Sequence, residues 1–212
     1  MILAIETSSA QGSVALGRAA GDEPVWRAEF ATGRGHGGAL FAALEEAMRR
    51  VAAGQLEEII VGLGPGSYSG VRLAVAAATG LALATGARLG GRASPVALAT
   101  DAPAFHVLGD ARREAFYYTA ICAGRPIRGP ELLAAAGVGE RLRMEPDWPV
   151  FGDRADLAGL PETIAPIAVC LPVAARLLSR KLAPAEIAPA GTALVPIYLR
   201  APAITLPKPR VR

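Results

Sequence analysis

A carboxylate followed by three hydroxyl residues stands at the end of the first apolar run of the chain. Glu6, Thr7, Ser8 and Ser9 follow the apolar residues 2–5, which are typical of a strand buried on both faces. An acidic residue at a strand end beside hydroxyls suits magnesium-bound phosphate chemistry. The competing interpretation is an exposed turn that only reverses the chain.

A second candidate is the glycine-rich turn over residues 64–70, between an apolar strand and a helix. Such a turn exposes free backbone N–H groups and can hold an anion. The weak candidates for nucleotide contact are therefore Glu6, Thr7 and Ser8, together with Gly64, Gly66, Ser67 and Gly70.

Two phosphate and hydrolase motifs do not fit this glycine-rich turn. No lysine follows Gly70, so it is not a Walker A loop. The central residue of residues 66–70 is Tyr68, whereas a nucleophile elbow needs serine there. The alternative is a tight strand-to-helix turn whose glycines serve geometry alone.

The histidines and cysteines predict neither a metal site nor a hydrolase. His36 and His106 are 70 positions apart, so no H-x-x-x-H motif exists. His106 lies in an apolar run and is expected to be a core histidine, while His36 lies in a glycine-rich loop. Cys122 and Cys170 are expected to be reduced thiols. We therefore expect no catalytic residue and no bound metal.

The composition predicts a folded cytoplasmic chain without a membrane segment. The 212 residues are 52% hydrophobic and 19% charged, enough for a sizeable core. The longest uncharged run, residues 73–87, is shorter than the roughly 18 residues that a membrane span needs. The net charge of +3 arises at the end of the chain, where Arg200, Lys208, Arg210 and Arg212 face no acidic residue. The rest of the chain is nearly neutral, which does not favour direct nucleic-acid binding.

The pattern of apolar residues predicts an α/β fold with the order βββαβα in its first half. Strands are expected at residues 2–5, 13–16, 25–30 and 59–63, and helices at 39–52 and 71–85. In the second half we expect a hairpin over 105–108 and 115–121, helices at 131–142 and 173–182, and a last strand at 195–199.

The two predicted helices of the first half are candidate packing surfaces. The second is apolar all round and must be covered by protein on every side. It carries two stripes of small residues, which permit close approach of another backbone: Ala74, Ala78 and Ala82, and Ala76, Gly80 and Ala84.

Several segments together resemble the bacterial TsaB (YeaZ) family. They are ILAIETSS followed by SVAL, GLGPGSYSGVR leading into GLA, GDARREAFY, and the near-terminal PIYLR. The resemblance spans nearly the whole chain, and its glycine-rich segment is the most specific part.

The resemblance implies an actin-like fold of two ribonuclease-H-like subdomains, the second of them reduced. We expect an N-terminal subdomain over residues 1–100, a reduced C-terminal subdomain over 101–200 and a basic, proline-rich tail over 201–212.

The resemblance also implies a non-catalytic subunit in the synthesis of threonylcarbamoyladenosine beside the tRNA anticodon. The implied partners are a TsaD homologue, a TsaE-type ATPase and, indirectly, tRNA; a homodimer is a further possibility. No cofactor is expected in the free chain, and ATP with Mg²⁺ only in the complex. The first two helices would form the interface through Leu40, Leu44, Met48, Val71, Val75, Ala78, Leu81 and Leu83.

Two other functions compete with the accessory role. The first is an actin-like ATPase or phosphotransferase that uses Glu6 and the turn over residues 64–70. It would need a second acidic hairpin in the other half, for which Asp110 is a faint candidate. The second is a metallopeptidase, which lacks the required histidines.

Overall fold

A strand of continuous apolar residues organises the first half of the chain. The computed structural model describes residues 1–32, 37–155, 157–160, 164, 167–189 and 191–200. All five residues of β1 are buried, because β1 lies between β2 and β4 in the sheet and apolar residues cover both of its faces. The first sheet has the order β3-β2-β1-β4-β5. Its strands are β1 (Ile2–Glu6), β2 (Gln11–Gly17), β3 (Trp26–Ala31), β4 (Glu58–Gly62) and β5 (Arg88–Arg92).

The second half repeats this sheet topology. Its order is β10-β9-β6-β7-β8, with antiparallel pairs β6–β7 and β7–β8 and parallel pairs β6–β9 and β9–β10. Two sheets of the same connectivity confirm the predicted pair of ribonuclease-H-like halves. The strands are β6 (Ala104–Asp110), β7 (Phe116–Cys122), β8 (Arg125–Leu133), β9 (Val150–Gly152) and β10 (Ala168–Val169).

The second half is reduced in its helices and in its last strands. Helix α1 (Gly37–Arg49) links β3 to β4 and α2 (Tyr68–Thr85) links β4 to β5. The counterpart of α1 is α3 (Ala135–Leu142), which is eight residues long. The described part of residues 153–167 contains no counterpart of α2. Strands β9 and β10 have only three and two residues.

Apolar side chains cover both faces of the first sheet. Helices α1 and α2 pack on one face, in a core that includes Leu3, Ile5 and Val61. A short helix, α4 (Ala174–Leu177), crosses back from the end of the second half and packs on the other face against Ala4 and Ile60. The chain after β10 is therefore anchored on the first half.

Helix α2 is the one helix in the described residues that is long and apolar enough to cross a membrane. It has 18 residues with a mean hydropathy of 1.2. Its buried stripe, formed by Val71, Ala74, Val75 and Ala78, packs on β4, β1 and β5. These contacts place one stripe of α2 in the core of the first half, while much of the helix is exposed, so the expected protein cover on every side is not present within the described part of this chain.

The order βββαβα and the hairpin of β6 and β7 are confirmed, but several predicted boundaries are wrong. Helix α1 begins at Gly37 and α2 at Tyr68, each earlier than predicted. Residues 131–133 belong to β8, so the helix predicted over 131–142 begins at Ala135. The helix predicted over 173–182 spans only four residues, and residues 195–199 form no strand.

Strand β5 was not predicted, because its sequence RLGGR lacks the usual strand residues. Its two central glycines are required by close packing. A Cβ on Gly90 would overlap the Leu182 side chain, and a Cβ on Gly91 would lie 2.6 Å from Leu63 Cδ1. The two glycines therefore reflect contacts with residues distant in the chain, which local strand propensity does not predict.

Candidate functional site

The two phosphate-site candidates lie against each other in the fold. The Ser67 N–H donates to the Ser8 carbonyl oxygen at 2.6 Å, which joins the glycine-rich turn to the turn after β1. A Cβ on Gly66 would overlap the Ser8 carbonyl oxygen, and one on Gly70 would overlap that of Thr7. The glycines are therefore required by contact with the chain's own backbone. This geometry favours the tight strand-to-helix turn over an open phosphate cradle.

Ser67 uses its hydroxyl to cap α2. Its side chain accepts a hydrogen bond from the Gly70 N–H at 3.2 Å, and Gly86 ends the helix with φ 73°. Gly64 is held by Ser94, whose hydroxyl accepts from the Gly64 N–H at 2.9 Å. Several polar groups of the turn are thus satisfied within the chain.

Glu6 is fully buried, which contradicts the competing interpretation of an exposed turn at this position. Its Oε1 accepts from the Ser8 N–H at 2.7 Å, and its Oε2 has no hydrogen-bond partner. Burial raises the pKa of the Glu6 carboxyl, and hydrogen bonding from Ser8 opposes that shift only in part. Thr7 and Ser8 are also buried, at 3% and 6% exposure.

A central cleft of about 600 Å³ lies between the two halves. Of the seven nucleotide candidates, Ser8, Gly64, Gly66 and Ser67 line it. Glu6, Thr7 and Gly70 lie behind this wall, so the structure brings the seven residues together but presents only four to the cleft. A fully buried Glu6 carboxylate behind the turn does not fit a metal-bound phosphate in the cleft.

Asp110 occupies the position in the second half that Glu6 occupies in the first. Each is the last residue of the first strand of its half, and Asp110 lines the cleft. Asp110 accepts from the Arg112 N–H at 2.6 Å, and its other oxygen lies 3.5 Å from the Arg112 guanidinium. Its oxygens therefore already have partners, as a structural turn requires.

Tyr117 lies deep in the same cleft. Burial raises the pKa of its phenol, and the negative charges of Asp153 and Glu6 raise it further. Tyr117 is therefore a neutral phenol at physiological pH and is not an activated nucleophile.

His106 is a core histidine, as predicted. Its Nδ1 lies 3.0 Å from the Tyr118 hydroxyl and its Nε2 lies 2.9 Å from the Glu145 carbonyl oxygen. It is 1% exposed. His36 lies outside the described residues, and the described part of the chain holds no cluster of three or more His, Cys, Asp or Glu side chains.

The predicted interface residues divide into two sets. Leu40, Val71, Val75 and Ala78 are buried in the core of the first half, and Leu44 belongs to the same core although it also lines the groove. Leu44, Met48 and Leu81 line a groove between α1 and α2, and Leu83 is 73% exposed on α2.

The groove between α1 and α2 is apolar and open to solvent. We call it the helix groove; it is lined by Phe41, Leu44, Glu45, Met48, Leu73, Ala76, Ala77, Gly80 and Leu81. Phe41 is 52% exposed at its edge. The groove also contains Phe41, Leu73, Ala76, Ala77 and Gly80, which are not among the predicted interface residues. The stripe of Ala76 and Gly80 is the sequence feature that could have indicated these groove residues. It faces the groove, whereas the stripe of Ala74 and Ala78 faces the core.

Comparisons with known proteins agree with this architecture. A family model described as TsaD, tRNA N6-adenosine threonylcarbamoyltransferase, matches residues 31–125. The uncharacterized proteins Rv3421c of Mycobacterium tuberculosis and Mb3455c of Mycobacterium bovis are each 32% identical over 165 residues, covering 77% of this chain and 72% of the relative.

Two solved structures share the fold. YeaZ from Pseudomonas aeruginosa superimposes with a TM-score of 0.67 at 24% identity, covering 84% of this chain and 88% of YeaZ. A protein described as similar to the peptidase YeaZ from Pseudomonas aeruginosa gives a TM-score of 0.70 at 23% identity, covering 94% and 99%. The chain therefore belongs to the family that includes Rv3421c and has the fold of YeaZ, which confirms the resemblance to the TsaB (YeaZ) family seen in its sequence.

Proposed function

We propose that this chain is a non-catalytic subunit that binds and activates a TsaD homologue for threonylcarbamoylation of the tRNA adenosine next to the anticodon. The observation that carries the proposal is the helix groove. It is an apolar groove between two adjacent helices of the first half. Grooves of this kind take up the apolar face of a partner's helix.

The composition of the helix groove suits a helical partner. Ala76, Ala77 and Gly80 leave a shallow floor on α2, which lets another helix approach closely, while Phe41 and Met48 form an apolar wall on α1. The one charged residue in the lining, Glu45, is paired with Arg49 at 2.7 Å. The resemblance to the TsaB (YeaZ) family implies a TsaD homologue as the protein partner. We therefore assign the groove to a TsaD homologue rather than to RNA.

The accessory role also agrees with the arrangement of the polar groups around the central cleft. The turns that line it are satisfied by their own backbone contacts, and Glu6 is buried behind them. In this proposal TsaD carries out the chemistry, a TsaE-type ATPase completes the assembly in the cytoplasm, and tRNA is contacted mainly through the partner.

The decisive experiment is reconstitution of tRNA threonylcarbamoylation with a purified TsaD homologue, a TsaE-type ATPase and the enzyme that makes threonylcarbamoyl-adenylate. We expect modification that requires this chain and no modification by the chain alone. Full activity without the chain, or activity from the chain alone, would overturn the proposal.

A variant in the groove tests the surface directly. A Cβ on Gly80 would meet no atom within 4 Å, so Gly80→Arg leaves the fold intact and fills the groove with a charged side chain. We expect it to abolish co-elution with the TsaD homologue and the modification that depends on it. Gly139→Arg, a matched change on α3, should retain both, because its Cβ would meet only the end of Arg143 at 3.5 Å.

A second copy of this chain is the other possible occupant of the groove. Sedimentation velocity of the free chain distinguishes the two. If Gly80→Arg separates a dimer but leaves TsaD binding unchanged, the groove is a homodimer surface and the partner site lies elsewhere.

An actin-like ATPase or phosphotransferase remains the second candidate. The observation in its favour is the cleft between two halves of equal topology, with Ser8 and Ser67 on one wall and Asp110 on the other. Isothermal titration of the free chain with ATP and Mg²⁺ tests it. Tight binding that is lost on Asp110→Asn would favour this candidate.

A further inference from the structure

Two tyrosines present aromatic rings to solvent at one end of the central cleft. Tyr68, the first residue of α2, is 52% exposed, and Tyr198, near the end of the described chain, is 46% exposed. Their ring centroids lie 5.5 Å apart, with the ring planes tilted by 41°. Neither ring belongs to an apolar cluster of the described core. Their ring surfaces are therefore available to a ligand.

Both rings are held in place by other groups of the chain. The guanidinium carbon of Arg72 lies 5.1 Å from the centroid of the Tyr68 ring, and the same guanidinium donates to the Tyr68 hydroxyl at 2.5 Å. The backbone before Tyr198 is fixed as well, because the Ile197 N–H donates to the Leu63 carbonyl oxygen at 2.8 Å. We call Tyr68, Tyr198 and Arg72 the tyrosine platform. A ligand that stacks on it loses little free energy to ordering the rings.

Positive charge without an acidic partner lies beside the tyrosine platform. Arg200 is exposed and lines the same cleft, two residues after Tyr198. No acidic residue of the described chain forms an ion pair with Arg72 or Arg200. The other two arginines of the cleft lining each lie beside an aspartate. The sequence after Arg200 adds three basic residues and no acidic one: Lys208, Arg210 and Arg212.

We propose that the tyrosine platform binds an unpaired strand of RNA, with a base stacked on the exposed rings and the adjoining phosphates beside Arg72 and Arg200. Exposed aromatic rings next to basic side chains suit a single strand, because every base has a face that can stack and every linkage carries a negative charge. The choice of RNA over DNA rests on the proposed function. Direct contact with RNA goes beyond the accessory role, and its test uses the chain alone, so either proposal can fail without the other.

Fluorescence anisotropy with labelled oligonucleotides of about 12 nucleotides tests the platform. We expect the chain to bind oligoadenylate more tightly than oligouridylate, because adenine offers a larger ring face for stacking. Absence of binding to either RNA would overturn the proposal. Tighter binding of oligodeoxyadenylate than of oligoadenylate would assign the platform to DNA and would also contradict it. If AMP displaces the labelled oligoadenylate as well as unlabelled oligoadenylate does, the site takes a single nucleotide instead of a strand.

Two kinds of variant separate stacking from charge. Tyr68→Ala and Tyr198→Ala should each weaken oligoadenylate binding about fivefold or more and reduce the preference over oligouridylate. Tyr198→Phe keeps the ring and should retain both. Arg200→Gln should weaken the two RNAs equally and lower the slope of affinity against salt by about one. The replaced side chains are exposed, so we expect the variants to fold, which circular dichroism checks. Unchanged affinity in both alanine variants would overturn the platform.

Matched controls separate the platform from general effects of an exposed ring or charge. Phe41→Ala removes a ring that is also 52% exposed, but from the helix groove. Arg125→Gln removes an exposed arginine at the end of the second sheet opposite the cleft. Both should bind RNA like the parent, and an equal loss in Phe41→Ala would contradict the proposal.

A chain that ends at Arg200 separates the platform from the basic residues that follow it. We expect this chain to bind more weakly but to keep its preference for oligoadenylate, since the two rings remain. Complete loss of binding in the shortened chain would assign RNA binding to residues 201–212 and overturn the platform.

Discussion

Ala78 and Gly80 lie two residues apart on α2 and meet opposite environments. Ala78 is fully buried against the first sheet, whereas a side chain on Gly80 would extend into open space in the helix groove. The two positions therefore separate the role of α2 in the fold from its proposed role in binding.

We expect Ala78→Arg to unfold the chain and Gly80→Arg to leave it folded. Arginine at position 78 would place an unpaired charge in the core, a change that costs more than about 4 kcal/mol. Arginine at position 80 also replaces a glycine by a better helix former, which contributes up to about 1 kcal/mol of stability. Circular dichroism and thermal unfolding measure both effects. A folded Ala78→Arg would show that α2 is packed differently.

The sequence predicts where α2 lies but not which of its small-residue stripes faces the core. Both stripes consist of alanine and glycine, and the hydrophobic pattern of the helix is nearly uniform, so neither side is marked as the outer one. Contacts with β4, β1 and β5 decide the matter, and they come from residues distant in the chain. For that reason the predicted interface included Val71, Val75 and Ala78 of α2, which lie in the core; Leu40 and Leu44 of α1, also predicted, are core residues too.

The residues of the candidate site were predictable from the sequence, but how deeply each of them is buried was not. Two strand ends next to each other in one sheet bring Ser8 and Ser67 together, and the order of β1 and β4 follows from the predicted topology. That Glu6 lies behind the wall of the cleft depends on the close approach of Gly66 to Ser8. Such contact distances follow from packing and leave no periodic signal in the sequence.

Glu6 provides a prediction with a defined pH dependence. Its folded pKa is raised, so the folded state holds the proton more tightly than the unfolded chain. Stability therefore falls as the pH rises from the unfolded pKa of about 4.5 to the folded value, and stays lower above it. Glu6→Gln removes this loss. We expect the variant to be more stable than the parent at pH 7, with a smaller difference at pH 4.

Urea unfolding between pH 4 and pH 8 measures this difference, with Glu58→Gln as the matched control. Glu58 is also buried, but it accepts from Arg88 at 2.9 Å, so its amide variant should gain no stability at pH 7. A Glu6→Gln variant that is less stable than the parent at pH 7 would mean that the ionised carboxylate is stabilised in the fold.

Arg92 joins the end of β5 to the segment that returns from the second half. Its guanidinium, nearly fully buried, donates to the carbonyl oxygens of Leu177 and, at 2.7 Å, Arg180, and it lies 3.4 Å from Glu186. We expect Arg92→Leu to cost about 3 kcal/mol or more, because these acceptors lose their donor in the interior. Arg176→Leu, which removes an exposed pair with Asp101, should cost less than about 1 kcal/mol. Equal losses in denaturant unfolding would contradict the assignment.

Glu186, the acidic partner of Arg92, stabilises the same segment, and this stabilisation is lost at acidic pH. Burial alone would raise its pKa, but hydrogen bonds from Arg180 and Ala183 and the charge of Arg92 outweigh burial and lower the pKa. The stabilisation is therefore present above the unfolded pKa of about 4.5 and is lost as the pH falls through the lower folded value. We expect Glu186→Gln to flatten the acid limb of the stability curve below pH 4.5. Unchanged acid dependence in urea unfolding would assign that limb to other carboxylates.

The pairing of His106 with Tyr118 predicts a measurable coupling in the core of the second half. The Glu145 carbonyl can only accept, so Nε2 of His106 carries the hydrogen and Nδ1 accepts from the Tyr118 hydroxyl. We expect His106→Leu to cost about 2–4 kcal/mol, since it leaves the buried carbonyl and hydroxyl without this partner. Tyr118→Phe should cost about 1 kcal/mol, and the double variant less than the sum of the two. Strict additivity in a double-mutant cycle of urea unfolding would show that the two side chains do not interact, because coupled neighbours deviate from additivity by about 0.5 kcal/mol or more.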